Sequence, residues 1–172
     1  KRESIKTLIL TLWKREDEAP TRAEEVALSG AVNAYIRKIS GDRSVRPDFN
    51  GFYEFVSVDY RRMIEEKRVR EKDFDIDGFL NVLEPFYRGG DYDFLLNSDK
   101  ELDLTNKRFI VFELDNIGSN KVLLPVVTLI IMETFIAKMR RLKGVRKMIL
   151  IEECWKALMS ASMSEYIKYL FK

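Results

Sequence analysis

The sequence predicts a helix-rich α/β fold, and three observations carry that prediction. Through the first half, apolar residues recur at helical spacing in segment after segment. In the second half two short runs, Phe109-Ile110-Val111-Phe112 and Met148-Ile149-Leu150-Ile151, are apolar throughout and show no helical stripe. Such runs fit strands buried on both faces, as in a parallel sheet. A long apolar helical segment lies between them and another helical pattern follows, so the order strand, helix, strand, helix reads as a βαβ unit with a right-handed crossover.

The elements follow in order. Ile5, Leu8, Ile9, Leu12 and Trp13 line one face of a first helix. Glu16 to Glu18 and Pro20 break it. Thr21 and Glu24 have the S/T-x-x-E form of a capping box, in which each side chain bonds the other's backbone N–H. The helix that they start carries Val26, Ala27, Ala31, Ala34, Tyr35 and Ile39 and has a plausible stop at Gly41. After a loop at 41–48, a third helix begins near Asp48 with Phe52, Phe55, Val56, Tyr60, Met63 and Ile64, and a charged stretch from Arg61 to Lys72 closes it. A short fourth helix carries Phe79, Leu80, Val82, Leu83 and Phe86 and ends at Gly89-Gly90. These helices would cover one flank of the sheet. A turn at 115–120 leads from the first predicted strand into a helix over about 121–142, with Pro125 tolerated in its first turn. The last helix carries Trp155, Leu158, Met159, Tyr166, Ile167 and Leu170. The expected division is a helical subdomain at 1–88 and a sheet-bearing part at 89–172.

Composition excludes several classes. The chain has 172 residues, enough for one core of ordinary size. With 46% hydrophobic and 34% charged residues it is not a disordered chain. Its 30 Lys and Arg against 28 Asp and Glu leave a formal net charge of +2, which does not argue for a nucleic-acid partner. A single cysteine, Cys154, forbids an internal disulfide, and the lack of histidine removes Ser-His-Asp and Cys-His catalysis and the usual zinc sites. The most apolar stretch, 122–137, contains Pro125 and Glu133 and is shorter than the ~20 residues of a membrane span, so it reads as a core helix. The chain has no initiator Met and ends within a helical pattern, which reads as a piece of a longer protein.

The chemistry is expected where the second run ends in Glu152-Glu153. Four apolar residues followed by two acids form the Walker B pattern of P-loop NTPases. A carboxylate beyond the carboxyl end of a parallel strand faces the ligand side of an open sheet. There it can hold Mg²⁺, usually through water. A second carboxylate can orient and deprotonate the water that attacks a γ-phosphate. Glu152 takes the metal-side role and Glu153 that of the base; mutual repulsion raises one pKa of the pair, which suits a base. Acids ahead of a helix are also favoured by its N-terminal partial charge, whatever their function. The phosphate-loop sequence G-x-x-x-x-G-K-[ST] is absent, and Gly89-Gly90 reads as a turn rather than a phosphate cradle. The phosphate loop is therefore expected upstream of Lys1, and this chain alone is expected to be inactive.

Three stretches together resemble a known family. Glu152-Glu153-Cys154-Trp155-Lys156-Ala157-Leu158, preceded by Ile149-Leu150-Ile151, resembles the Walker B segment of TraG-type conjugation ATPases, relatives of the VirB-type motor ATPases of type IV secretion. Gly89-Gly90-Asp91-Tyr92 is similar to the family's Gly-Gly-x-Tyr segment, and Arg108 to Leu114 is similar to the strand after it. Glu152 stands where P-loop enzymes most often have Asp. The resemblance implies a fragment of a RecA-like P-loop NTPase domain with at least two parallel core strands, residues 1–88 being a helical subdomain inserted ahead of Walker B. It implies ATP and Mg²⁺ as cofactors, with Glu152 and Glu153 at the nucleotide and Glu152 at the metal. It further implies a ring of like subunits, secretion-channel partners, a cytoplasmic place at the inner membrane, and transfer of DNA or protein. It leaves direct nucleic-acid contact open. The rival reading is a non-enzymatic helical module that binds another protein.

Other groups have simpler readings. Cys154 fits a small packed hydrophobe and Trp155 fits core packing. The cations Arg61, Arg62, Lys67, Arg68, Arg70 and Lys72 are interleaved with Glu65, Glu66, Glu71 and Asp73, as on a solvated helix face. Lys138, Arg140, Arg141 and Lys143 sit where cations complement a helix dipole, with Arg146 and Lys147 in the turn beyond. Glu113 and Asp115, beyond the first run, are weaker candidates for the nucleotide side.

Overall fold

The computed structural model describes residues 2–15, 17–42, 44, 47–97, 104 and 106–152. The chain divides into two compact units, Lys1–Glu101 and Leu102–Lys172.

The first unit is built from helices, and side-chain caps fix the starts of three of them. Helix α1 spans Arg2–Trp13 and buries Ile9 and Leu12. Helix α2 spans Arg22–Gly41, and the predicted capping box is present in full. The Glu24 N–H donates to Thr21 Oγ1 at 3.3 Å, and the Thr21 N–H donates to Glu24 Oε2 at 2.7 Å. Glu24 also meets Lys14 Nζ at 2.9 Å, which ties the end of α1 to the start of α2. Asp48 caps α3 (Phe49–Phe55) by accepting from the Gly51 N–H. Asp75 caps α5 (Ile76–Leu83) in the same way through the Gly78 N–H.

Between α3 and α4 (Arg61–Glu66) the chain makes a π-helical turn, Val56–Tyr60, which the helical periodicity does not foretell. The wider turn shifts the following side chains around the axis. It leaves Tyr60 buried, with its hydroxyl donating to the Ala27 carbonyl of α2 at 2.7 Å. Gly30 makes room for this contact, since a Cβ there would lie 2.7 Å from the Tyr60 oxygen. Helix α4 then closes with a Schellman motif. The Arg68 N–H donates to the Glu65 carbonyl and the Val69 N–H to the Ile64 carbonyl, with Arg68 at φ 54° where glycine is usual.

Aromatic rings hold this unit together. Trp13 meets Phe79 edge-on at 4.8 Å and Phe74 at 5.9 Å. Tyr35 meets Phe52 edge-on, and Phe49 meets Phe86. Phe79, Phe86, Leu28, Leu83, Val32 and Val56 are fully enclosed. Each such side chain contributes roughly 1.5–3 kcal/mol by leaving water. Burial, followed by the nearby Asp48 and Glu54 charges, pushes the Tyr35 hydroxyl up to about 12, so it stays a neutral donor to the Asp48 carbonyl.

In the second unit, α7 spans Leu123–Arg141 and buries Val126, Leu129, Met132 and Ile136 along one stripe. Its start is held by Asn120, whose Oδ1 accepts from the Val122 and Leu123 N–H groups. Among the described residues no helix is long and apolar enough to cross a membrane.

The predicted α/β class is not what this unit shows. The described residues contain no strand, so the parallel core strands, the βαβ unit and a RecA-like core are absent from them. The run at 109–112 is present as irregular chain, with Phe109 85% and Val111 71% exposed. The run at 148–151 is likewise unpaired, with Met148 88% and Leu150 82% exposed. The physical reason lies in what a strand requires. A helix satisfies its own backbone, whereas a strand needs neighbours for its N–H and C=O groups, and a parallel sheet also needs cover on both faces. Apolar, β-branched composition signals an appetite for burial but does not supply the partner. The predicted last helix lies outside the described residues.

Candidate functional site

The predicted acids sit just after the second apolar run. Helix α7 ends with the Leu142 N–H donating to the Lys138 carbonyl. Gly144, at φ +76°, lies in the turn that follows, and 145–151 runs on to Glu152. Glu152 is exposed, in a turn. Glu153 lies outside the described residues, as do Cys154, Trp155 and Lys156. Glu113 and Asp115 are both exposed, and Asp115 opens a short 3-10 turn, Asp115–Ile117.

No group of three or more His, Cys, Asp or Glu that could hold a metal ion occurs among the described residues. The second unit therefore builds no all-protein cage from Glu113, Asp115 and Glu152. That donor set suits only a hard cation held by one or two carboxylates, with water and phosphate oxygens completing its shell. Mg²⁺ is usually bound in that manner.

The Gly-Gly segment in the first unit is a tightly pinned turn. Gly89 adopts φ +82°, and a Cβ on Gly90 would lie 2.4 Å from the Pro85 carbonyl oxygen. The Tyr92 N–H donates to that same Pro85 carbonyl at 2.8 Å. Two asparagines lock the turn to α3. Asn50 Oδ1 accepts from the Arg88 N–H at 3.0 Å, and Asn97 Oδ1 accepts from the Asn50 N–H at 2.9 Å. The Asn97 amide donates to the Phe86 carbonyl and to Asp93, a helical residue of α6 (Asp93–Leu96). Sequence reasoning missed both asparagines. Forty-seven residues separate them, and nothing local marks an amide that serves a distant turn.

An open groove of about 710 Å³ lies beside this lock, wholly within the first unit, and Lys38, Glu54, Asp59, Arg88 and Asp93 line it. Its charges are largely paired across it. Lys38 meets Asp59 at 2.5 Å and lies over the Phe55 ring, while Glu54 accepts from the Tyr87 hydroxyl at 2.9 Å and faces Arg88 at 3.5 Å. None of the predicted site residues lines it. The basic stretch at 61–72 is likewise self-neutralised in part, through Arg61 to Asp77 and Arg70 to Asp73, both at 2.6 Å.

Neither the comparison with curated proteins nor that with solved structures gave a match. The comparison with protein families did: the family described as TraG P-loop domain matches residues 1–172, from the first residue to the last. The chain therefore belongs to the TraG P-loop domain family of conjugation ATPases.

Proposed function

We propose that the protein to which this chain belongs hydrolyses ATP to drive transfer of DNA or protein through a conjugative, type IV secretion channel. The observation that carries the reading is the family match over residues 1–172, within which an acid pair, Glu152-Glu153, follows an apolar run. Glu152 holds the metal side of the site. Its carboxylate is exposed and would hold Mg²⁺ through water, supplying charge to the cation. Glu153 orients the attacking water and takes its proton, then returns it on product release. Mg²⁺, when bound with the nucleotide, supplies charge neutralisation at the phosphates. The protein works as a ring of like subunits, docked peripherally at the cytoplasmic face of the inner membrane against channel proteins.

The two acids give separable signatures in the full-length protein. Glu153→Gln keeps the size and an acceptor oxygen but cannot take a proton, so turnover falls ~10²–10⁴-fold while nucleotide binding persists. Glu152→Gln weakens the hold on Mg²⁺, so metal-dependent nucleotide binding falls together with rate. If the acids only complement a helix N-terminus, both changes cost ~0.3–1 kcal/mol of stability and leave turnover intact. Steady-state ATPase rates and nucleotide affinities decide. Wild-type turnover in both variants would favour the helical interaction module instead.

A further inference from the structure

The helical stretch from Phe49 to Glu66 leaves one face open along its length. Gly51, Phe55, Asp59 and Met63, four residues apart, line that face. In a plain α-helix a row at this spacing drifts around the axis. The wider π-helical turn at Val56–Tyr60 takes up the drift and keeps Met63 in line, so the row stays straight for roughly 18 Å. Such turns recur at functional sites.

The end of α2 forms the facing wall. The groove of about 710 Å³ and a smaller hollow of about 390 Å³ share Lys38, Phe55 and Asp59, so the two are one channel. The Lys38–Asp59 pair stands between them, with Lys38 Nζ 5.5 Å from the centre of the Phe55 ring. The larger hollow is lined by four carboxylates, Asp48, Glu54, Asp59 and Asp93, against Lys38 and Arg88. Its local charge is therefore opposite in sign to the +2 of the whole chain. The smaller hollow is mostly apolar, with Ala34, Phe55 and Met63, and Arg37 is exposed at its rim. Val58 is 58% exposed and Met63 38% exposed along the same channel.

We propose that this channel holds an amphipathic, cationic helix of a partner protein, roughly 12 residues long. The walls decide that the occupant is helical. Both are helices whose backbone groups are bonded internally, so they offer no edge to an extended strand, and an entering segment must satisfy its own N–H and C=O groups. The carboxylates decide its charge. They attract Lys or Arg and repel the phosphates of a nucleic acid or an anionic lipid. Val58 and Met63 decide its other face, since each loses exposed apolar area only against an apolar side chain. The inference stands apart from the ATPase reading, because every residue it uses lies in the first unit.

The test is fluorescence anisotropy of a labelled leucine–lysine peptide with leucines at i, i+3, i+4 and i+7, titrated with the full-length protein without nucleotide. The same peptide with glutamate for lysine is the comparison. The lysine peptide should bind about tenfold or more tightly, and its binding should weaken as salt is raised. Glu54→Gln with Asp59→Asn should weaken it about tenfold. Val58→Ser with Met63→Ser should weaken it with no change of charge. Lys38→Gln removes the competing cation and should tighten it about threefold. Glu66→Gln with Glu71→Gln, the same loss of charge at exposed residues outside the channel, should leave it unchanged. Equal binding of the two peptides, equal loss in the two acid pairs, or weaker binding by Lys38→Gln would overturn the proposal. So would an oligomer that both the lysine peptide and Glu54→Gln with Asp59→Asn dissociate, since the channel would then belong to a second copy. Because no step uses ATP, loss of peptide binding with normal turnover refutes this surface alone. Normal peptide binding with wild-type turnover in both Glu152→Gln and Glu153→Gln refutes the ATPase reading alone.

Discussion

The helices of the first unit and the irregular runs of the second use similar apolar sequence in opposite ways. In the first, Phe79 is 1% exposed and Phe86 2%, with rings meeting edge to face around Trp13 and Phe49. In the second, Phe109 is 85% exposed and Phe112 44%, in chain with no ladder. Both regions are rich in aromatic and branched residues, so composition does not separate them. What separates them is how the backbone is satisfied. Helical segments bond internally and need cover on one stripe only, so a few capped helices can close around each other. Irregular apolar runs keep their backbone open and their side chains wet until something else supplies both.

The strongest test of that contrast is one substitution made in both places. Phe79→Ala should cost ~3–5 kcal/mol, because it removes the ring against which Trp13 and Phe74 pack and leaves a cavity. Phe109→Ala should change stability by no more than ~0.5 kcal/mol. Denaturant melts of both variants measure this, and a large cost at Phe109 would show that the run is covered.

A smaller effect tests how closely the first unit is fitted. Gly30→Ala gains helix propensity but drives a methyl group to 2.7 Å from the buried Tyr60 oxygen, so it should destabilise by ~1–3 kcal/mol. Tyr60→Phe loses the bond to the Ala27 carbonyl and should cost ~0.5–1.5 kcal/mol. Together they should cost less than their sum, because the phenylalanine ring no longer carries the atom that the methyl strikes. A double-mutant cycle reads the coupling directly. Additive costs would mean that Tyr60 does not occupy the space over Gly30.

Legibility in the sequence follows the same line. Caps are local, so Thr21 with Glu24 gives the start of α2, and a helix was expected to begin near Asp48, the residue that caps α3. Helical periodicity is local too, and the segment expected at 121–142 is α7, Leu123–Arg141. The π-helical turn at Val56–Tyr60 leaves no local mark in the sequence, and the contact that it serves, Tyr60 to the Ala27 carbonyl, spans 33 residues. The Asn50 and Asn97 lock is hidden for the same reason. The strands were expected from residues that favour burial, yet pairing is a property of two segments and no single run encodes it. Of the acid pair, Glu152 is exposed in a turn that no strand precedes, and Glu153 lies outside the described residues.

The smallest expected effect concerns the joint between α1 and α2. Burial opposes ionisation of Glu24, but the hydrogen bonds from Lys14 and from the Thr21 N–H outweigh it and hold the carboxyl below its ordinary range. Burial likewise opposes the charge on Lys14, and its bonds to Glu18 and Glu24 outweigh that too, leaving its pKa raised. The sign for Glu24 is that of a group depressed on folding. Its contribution is fully present above the carboxyl's unfolded value, and it is lost as pH falls below that value through the folded one. Glu24→Gln keeps the acceptor for the Thr21 N–H but cannot form the ion pair, so at neutral pH it should cost less than Glu24→Ala. The alanine also breaks the capping box, for about 1 kcal/mol in total. Melting the wild type and the glutamine variant from neutral pH down past the carboxylate range should show their stabilities converging as Glu24 protonates. A difference that persists at acid pH would mean that the pair with Lys14 adds nothing beyond packing, and that the charge at this joint merely accompanies the closure of the helices.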